Sequence, residues 1–152
     1  MQIIYSILEQ EPARRFFPLA EEFQVGLISR VPHASEVLTT RYDDGPPEFD
    51  PSDHRSHRKQ EWLQQALAKA AAVRFLAQDT GRTFAQSAIS FCLAQPSIAS
   101  VLPNLTTLEE LQEYSAASET PPLSEEELQK LDELWKEGFH IEQTATPAME
   151  GE

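Results

Sequence analysis

Positive charge is scarce in this chain. Twelve lysines and arginines stand against 25 aspartates and glutamates, a formal net charge of −13. A nucleic-acid-binding surface needs a basic stripe to displace phosphate counterions, so nucleic acid is not an expected partner. The same imbalance disfavours an anionic membrane surface. Cysteine is reduced to Cys92, which excludes an intrachain disulfide. It lies in the apolar run Ile89-Ser90-Phe91-Cys92-Leu93 and reads as a small core residue rather than a nucleophile. The five glycines, Gly26, Gly45, Gly81, Gly138 and Gly151, form neither a dinucleotide fingerprint nor a nucleoside-triphosphate loop. No serine sits in a nucleophile-elbow pattern. The opening Met1-Gln2-Ile3-Ile4-Tyr5 has no basic region and no long apolar run. Neither a signal peptide nor a membrane span is expected, and the cytoplasm is the expected address.

What is present is enough for one domain. The 152 residues are 40% hydrophobic, which supports a core. A complete eight-stranded α/β barrel needs about 250 residues, so the chain is too short for one. Residues 2–8 form a short, β-rich apolar run that reads as a buried strand. It starts at the second residue, as expected of a piece of something longer. Pro12 suits the first turn of a helix, and Phe16, Phe17, Leu19, Ala20 and Phe23 follow at helical spacing, with Pro18 expected to interrupt them. Residues 25–29 are a second buried strand. A loop with a short helix over 34–40 is expected next. Residues 43–58, rich in Asp, Pro and Gly, read as a long surface loop.

Residues 60–79 carry a strong helical pattern through Trp62, Leu63, Ala66, Leu67, Ala70, Val73, Arg74 and Leu76, stopped by Gly81. Thr83 with Gln86, Thr107 with Glu110, and Ser124 with Glu127 have capping-box spacing and start three further helices. Leu123 is placed to staple onto Leu128. The last helix presents Leu128, Leu131, Leu134 and Trp135, and residues 141–152 are expected to be a polar, disordered tail. Residues 97–102 read as a third strand. Strands separated by helices predict a parallel sheet. Three strands alone leave two open edges and an uncovered face.

Four histidines are available. His54 and His57 flank Arg55 beside Asp53, but Arg55 and Arg58 would repel a cation, and a hydrogen-bonded loop fits better than a metal site. His33 follows Pro32 in a loop after a strand, where α/β barrels place active-site groups; a structural or solvated role is the commoner one. The most informative stretch is Ser100-Val101-Leu102-Pro103-Asn104-Leu105-Thr106-Thr107, a strand that runs through a proline turn into a capped helix. The free N–H groups of such a helix start can hold a phosphate. The same stretch fits an ordinary strand-to-helix connection equally well.

At these residues the chain resembles the aldo-keto reductase family. Gln2-Ile3-Ile4-Tyr5-Ser6 looks like the sixth barrel strand, and Val25-Gly26-Leu27-Ile28-Ser29-Arg30-Val31-Pro32 like the seventh strand and its loop. Residues 100–114, with Leu102-Pro103 and Leu111-Gln112-Glu113, look like the eighth strand and the adenosine-binding loop and helix. Residues 53–58 and 81–86 resemble connecting segments of bacterial members. The resemblance implies a partial (β/α) barrel of the TIM type, α/β in class, with about three parallel strands and flanking helices over residues 1–140. It implies carbonyl reduction by hydride transfer and NADP or NAD as cofactor, bound weakly or not at all by this chain alone.

By the same resemblance, Gln2 would hydrogen-bond the nicotinamide carboxamide, and Arg30, Val31 and Pro32 would line the nicotinamide and pyrophosphate end. Asn104 and Thr106 would face the adenosine phosphate, with Glu110 near it, and Glu113 and Tyr114 would meet the adenine. The chain departs from the family where Glu36 and Thr40 replace frequent glycines, which let backbone and cofactor approach closely. Asn104 replaces a frequent Gly or Lys, Thr106 a frequent Arg, and Tyr114 a frequent Asn. Glu110 adds negative charge where a 2′-phosphate wants Arg or Lys. The family's catalytic Asp, Tyr, Lys and His lie on the first four strands, which have no counterpart here. The resemblance therefore implies no catalytic residue in this chain and no activity by it alone. A missing N-terminal half or a second copy of the chain is the expected partner. The other reading is a non-enzymatic remnant that self-associates or binds a partner. An all-helical regulator would require the three apolar runs not to be strands.

Overall fold

The computed structural model describes residues 1–45 and 60–141. Three short strands, β1 (Gln2–Ile4), β2 (Leu27–Arg30) and β3 (Ile98–Leu102), form one parallel sheet in the order β1-β2-β3. Five helices accompany them: α1 (Ala13–Glu22), α2 (Gln60–Ala72), α3 (Phe84–Leu93), α4 (Leu108–Ser115) and α5 (Glu125–Lys136). The architecture is an open part of an α/β barrel, as the strand and helix pattern predicts.

Alternation along the strands sets the two faces of the sheet. Ile3, Leu27, Ser29 and Ile98 are buried, in the core or beside it. The other face is uncovered, and the register lays two rungs across it. Gln2, Ile28 and Ser100 form one, and Ile4, Arg30 and Leu102 the other. Ile4 and Leu102 remain 41% and 53% exposed, large values for residues in a parallel sheet, where both faces are normally covered.

Several expectations need correction. The first strand ends at Ile4, not at residue 8, because a tight turn follows: Ser6 and Glu9 exchange backbone hydrogen bonds at 3.1 and 3.3 Å. Residues 5–8 are all buried and do not alternate. The second strand begins two residues later than expected and includes Arg30. Pro18 lies inside α1 without ending it. It is exposed, on the solvent side, where the carbonyl it cannot serve has water as a partner. No helix forms over 34–40. That segment is a series of turns with Ala34, Ser35 and Glu36 at φ of 47°, 61° and 73°. The helix expected over 60–79 ends at Ala72 and gives way to a 3-10 turn, Arg74–Ala77. Most of the 43–58 loop, including Asp53, His54 and His57, lies outside the described residues, as does nearly all of the 141–152 tail.

All three capping boxes form, with both reciprocal hydrogen bonds at Thr83/Gln86, Thr107/Glu110 and Ser124/Glu127. Of the face expected on α5, Leu131 and Leu134 are buried, and Leu128 and Trp135 pack half-buried against the core. Cys92 is buried at 0% exposure and its thiol donates to the Tyr5 carbonyl at 3.3 Å. Burial pushes its pKa up to about 12, so it is an inert core thiol.

Arg82 joins the two ends of the helical layer. Its side chain is 2% exposed. Its guanidinium donates to the carbonyls of Pro121 at 3.1 Å, Pro122 at 2.8 Å and Leu76 at 3.2 Å, and pairs with Glu127. The Leu76 carbonyl also accepts from the hydroxyls of Thr80 and Ser87, each at 2.9 Å. One arginine thus satisfies the end of the 3-10 turn and fixes the segment that leads into α5. Removing one member of a buried pair leaves the rest desolvated and unpaired. Arg82→Ala is expected to destabilise the chain by about 3 kcal/mol or more, read as a lower urea midpoint. A loss under about 0.5 kcal/mol, the scale of a surface change, would contradict this role.

Candidate functional site

Parallel strands send their loops to a common end of the sheet, where α/β folds place their sites. Here that end is formed by the loop after β2 and by the β3–α4 connection. The β2 loop starts with Val31 at φ 60° and Pro32 fully buried. A β-branched residue in the left-handed region is strained, as is the run Ala34-Ser35-Glu36, at about 1–2 kcal/mol per residue. Local bonds hold the loop in this form. Ala34 N–H donates to the Val31 carbonyl at 3.0 Å, Leu38 N–H to His33 at 3.1 Å and Thr39 N–H to Glu36 at 3.2 Å. The Thr39 hydroxyl donates to the Glu36 carbonyl at 2.7 Å, and the Tyr42 hydroxyl to the Ser35 carbonyl at 3.1 Å. Glu36 stands where a glycine was expected from the resemblance, and its positive φ explains why glycine suits that position.

His33 is the buried centre of this region. It is 2% exposed, its Nε2 lies 3.3 Å from the Ala85 carbonyl, and its ring centroid is 4.5 Å from that of Tyr114. Its Nδ1 has no hydrogen-bond partner. Burial is the main cause that lowers its pKa to about 4, against a smaller opposing effect of the Ala85 bond and the Glu110 charge. His33 is therefore neutral at pH 7 and ties the β2 loop to α3 and α4.

The β3–α4 connection has a different character. Asn104 and Thr106 are exposed. The Glu110 carboxylate closes over the helix start. Its Oε2 accepts from Thr106 N–H at 2.6 Å, from the Thr106 hydroxyl at 2.9 Å and from Thr107 N–H at 3.2 Å. Burial opposes its ionisation, but these bonds and the charge of Arg41 outweigh it and hold its pKa below the usual carboxylate range. Glu36 is also buried, with Arg41 3.9 Å away. Tyr114 lies at 6% exposure, and burial first, then the charges of Glu36, Glu110 and Glu113, push its pKa well up. The charges of three carboxylates thus act on one phenol, and that of Arg41 opposes them. Glu113 is anchored through its backbone, whose carbonyl accepts from the Gln86 side chain at 2.9 Å.

The residues named from the sequence thus fall into two groups. Gln2 and Arg30 share the uncovered sheet face, on successive rungs. Val31 and Pro32 begin the strained loop. Asn104, Thr106, Glu110, Glu113 and Tyr114 line the start of α4 and its inner side. Sequence reasoning missed the burial of His33 against Tyr114 and the inward place of Glu36; the departure from glycine at residue 36 was the available signal. Among the described residues there is no cluster of three His, Cys, Asp or Glu side chains able to hold a metal ion. Nor is any described helix long and apolar enough to cross a membrane.

Comparison with known proteins gives this geometry a family. Residues 1–136 match the sequence model of the aldo/keto reductase family. A probable voltage-gated potassium channel subunit beta from Arabidopsis thaliana is 30% identical over 112 residues, 71% of this chain and 34% of that protein. The uncharacterized oxidoreductase YqkF of Bacillus subtilis is 28% identical over 137 residues, 90% of this chain and 42% of that protein. The apo structure of aldo-keto reductase AKR11C1 from Bacillus halodurans superposes with a TM-score of 0.63 at 25% identity, covering 88% of this chain and 42% of that one. The chain spans less than half the length of each of these proteins.

The buried neutral His33 makes stability depend on pH. Its folded pKa lies below the unfolded value, so the unfolded chain binds the proton first as pH falls through about 6.5. Stability is full above that value and declines toward pH 4. Between pH 7 and pH 5 this amounts to roughly 2 kcal/mol. Urea melts at the two pH values, compared with those of His33→Gln, measure it. An equal pH dependence in the variant would remove His33 as the cause.

Proposed function

Since this chain belongs to the aldo/keto reductase family, we propose that it forms the cofactor-holding end of a carbonyl-reducing barrel and does not catalyse alone. The observation that carries this reading is the open sheet. Two rungs of side-chain positions lie uncovered on one face of three parallel strands, which lead at one end into a strained loop and a helix start. A complete barrel would cover those rungs with layers of side chains from other strands.

When bound, a nicotinamide nucleotide supplies the hydride. Gln2 carries an amide suited to pair with the nicotinamide carboxamide, donating and accepting one bond each. Arg30, Val31 and Pro32 would flank that end, and Asn104, Thr106, Glu113 and Tyr114 the adenosine end. Of these, Gln2, Arg30, Asn104 and Thr106 are exposed, whereas Pro32 and Tyr114 are buried and would act from behind the surface. At the helix start they do not fit a 2′-phosphate, because the N–H groups already serve Glu110.

A carbonyl reduction also needs a proton for the oxygen, given by a group with a pKa near the operating pH. The chain's three tyrosines are Tyr5, Tyr42 and Tyr114, and none fits that role. Tyr5 is buried against Phe17 and Phe91, and burial raises its pKa. Tyr42 donates to a backbone carbonyl, and Tyr114 is raised by burial and by surrounding carboxylates. His33 is neutral and enclosed. Purified chain, mixed with NADH or NADPH and a panel of aldehydes, is therefore expected to give no sustained nucleotide oxidation. Adding a chain that carries the first five strands of such a barrel is expected to restore turnover. Sustained turnover by the present chain alone would overturn the proposal.

The uncovered face also supports a second reading, in which the chain acts through association. Two edges unpaired among the described residues, and the exposed Ile4 and Leu102, favour pairing with another copy. Size-exclusion chromatography with light scattering is expected to find a dimer or larger species. A stable monomer at high concentration would count against it.

A further inference from the structure

Large apolar side chains left in water gather on one flank of α1. Phe16, Leu19 and Phe23 are 39%, 48% and 67% exposed, and their spacing of three and four residues sets them in one stripe. The helix buries a different face, through Ala13, Phe17 and Ala20. Phe23 follows the last residue of α1, yet its N–H still donates to the Leu19 carbonyl at 2.9 Å, so it continues the stripe by one turn. We infer that this stripe is the interface of a two-fold dimer, in which α1 of one copy packs antiparallel against α1 of a second copy. Neither the sheet's uncovered face nor a nucleotide takes part in this contact.

The charges beside the stripe choose that occupant. Arg15 and Glu22 are exposed and border the same edge of it, seven residues or about two turns apart. Phe16 and Phe23 have the same separation. A two-fold axis beside Leu19 reverses one helix against the other and brings like edges of the two stripes together. Phe16 then meets Phe23 of the second copy, Leu19 meets Leu19, and Arg15 meets Glu22, with each off-axis contact made twice. Within its own chain Arg15 pairs with Glu11 at 3.2 Å, and both side chains are largely exposed. Such a pair along one helix holds the arginine only weakly, so Arg15 can turn to Glu22 of the second copy.

Area sets the strength of the contact. With about 200 Å² for a whole side chain, Phe16 and Phe23 together keep roughly 200 Å² in water. Leu19 and the neighbouring Val25, 42% exposed, bring the patch to the few hundred Å² that mark an interaction site. A stable complex buries about 800 Å² on each partner, so this dimer is weak and exchanges with monomer. The exposed stripe on α4 does not suit a copy of itself. Leu108 and Leu111 are 62% and 48% exposed, but the charged residues of α4 are Glu109, Glu110 and Glu113, with no cation among them. Two copies of that helix would repel. A segment extending the sheet beyond β1 is the rival occupant of the α1 stripe, and it would need no match between Arg15 and Glu22.

Sedimentation velocity of the purified chain, from micromolar to millimolar concentration, reads the association directly. The mass is expected to rise from one chain to two and no further. Arg15→Glu and Glu22→Arg are each expected to weaken the dimer about ten-fold, because each turns two attractive contacts into repulsive ones. An equimolar mixture of these two variants is expected to associate about as tightly as the original chain, since each supplies the charge that the other has lost. Phe23→Ala is expected to weaken the dimer without rescue by either. Circular dichroism confirms that each variant is folded. A monomer at every concentration would overturn the two-fold contact. So would variants that stay weak when mixed, or species that grow beyond a dimer. Association indifferent to both charge reversals would overturn it as well, and would assign self-association to the sheet edges instead.

Discussion

Each parallel strand carries hydrogen-bonding groups on both sides, and within the described residues only β2 has both sides taken. Met1 and Ser97 extend the pairing beyond the strands, accepting from Ile28 and Leu27 N–H at 2.8 Å each. The rest of the structure follows from this central strand. Its inward residues, Leu27 and Ser29, are fully buried, and Ser29 donates to the Tyr5 carbonyl at 2.8 Å, the same carbonyl that takes the Cys92 thiol. The end of β1, β2 and α3 therefore meet at one backbone oxygen. The same strand fixes the opposite face as well. Its alternation that buries Ser29 places Ile28 and Arg30 outward, between Gln2 and Ile4 on one side and Ser100 and Leu102 on the other. Burial on one face and incompleteness on the other are thus a single consequence of one strand's register.

The loop that leaves β2 inherits this constraint. Four of its residues, Val31, Ala34, Ser35 and Glu36, have positive φ, a conformation that none of them prefers. Strain of that kind persists where the surroundings over-determine it. Here the surroundings are identifiable: a buried proline, a histidine enclosed between Ala85 and Tyr114, and five hydrogen bonds within the loop or from its neighbours. The strain lies at the end of the strands, where α/β folds put their chemistry. It fixes where Glu36 sits, so a backbone cost becomes an electrostatic property of the site.

What was legible in the sequence was mainly local. The three apolar runs each hold a strand, and the three capping boxes formed because each needs only residues three positions apart. The resemblance named residues that the fold gathers at one end. Features that depend on distant residues were not legible. Arg82 reads as one of twelve basic residues, and only the fold brings Pro121, Pro122 and Glu127 to it. Pro18 signals a break, yet its exposed side of α1 tolerates it. The turn-rich path of residues 34–40 contains no glycine to announce positive φ, so helix was the reasonable local expectation. His33 reads as structural or solvated from its loop, and its packing against Tyr114, some eighty positions away, decides for the structural role.

Glu110 links the stability of α4 to the charge at its start. A capping-box carboxylate is worth on the order of 1 kcal/mol to its helix, and α4 is only eight residues long. Isolated helices of that length are marginal, so most of their stability comes from caps and packing. The residue best placed to stabilise α4 is therefore also the one that places a negative charge at its start. A basic residue there would welcome phosphate but give up the cap, and would sit close to the positive end of the helix dipole. The acid avoids that conflict. It satisfies the helix, lowers its own pKa through the bonds it accepts, and remains charged at neutral pH. The negative charge at this end of the sheet then requires no additional residue, because it follows from the way this short helix begins.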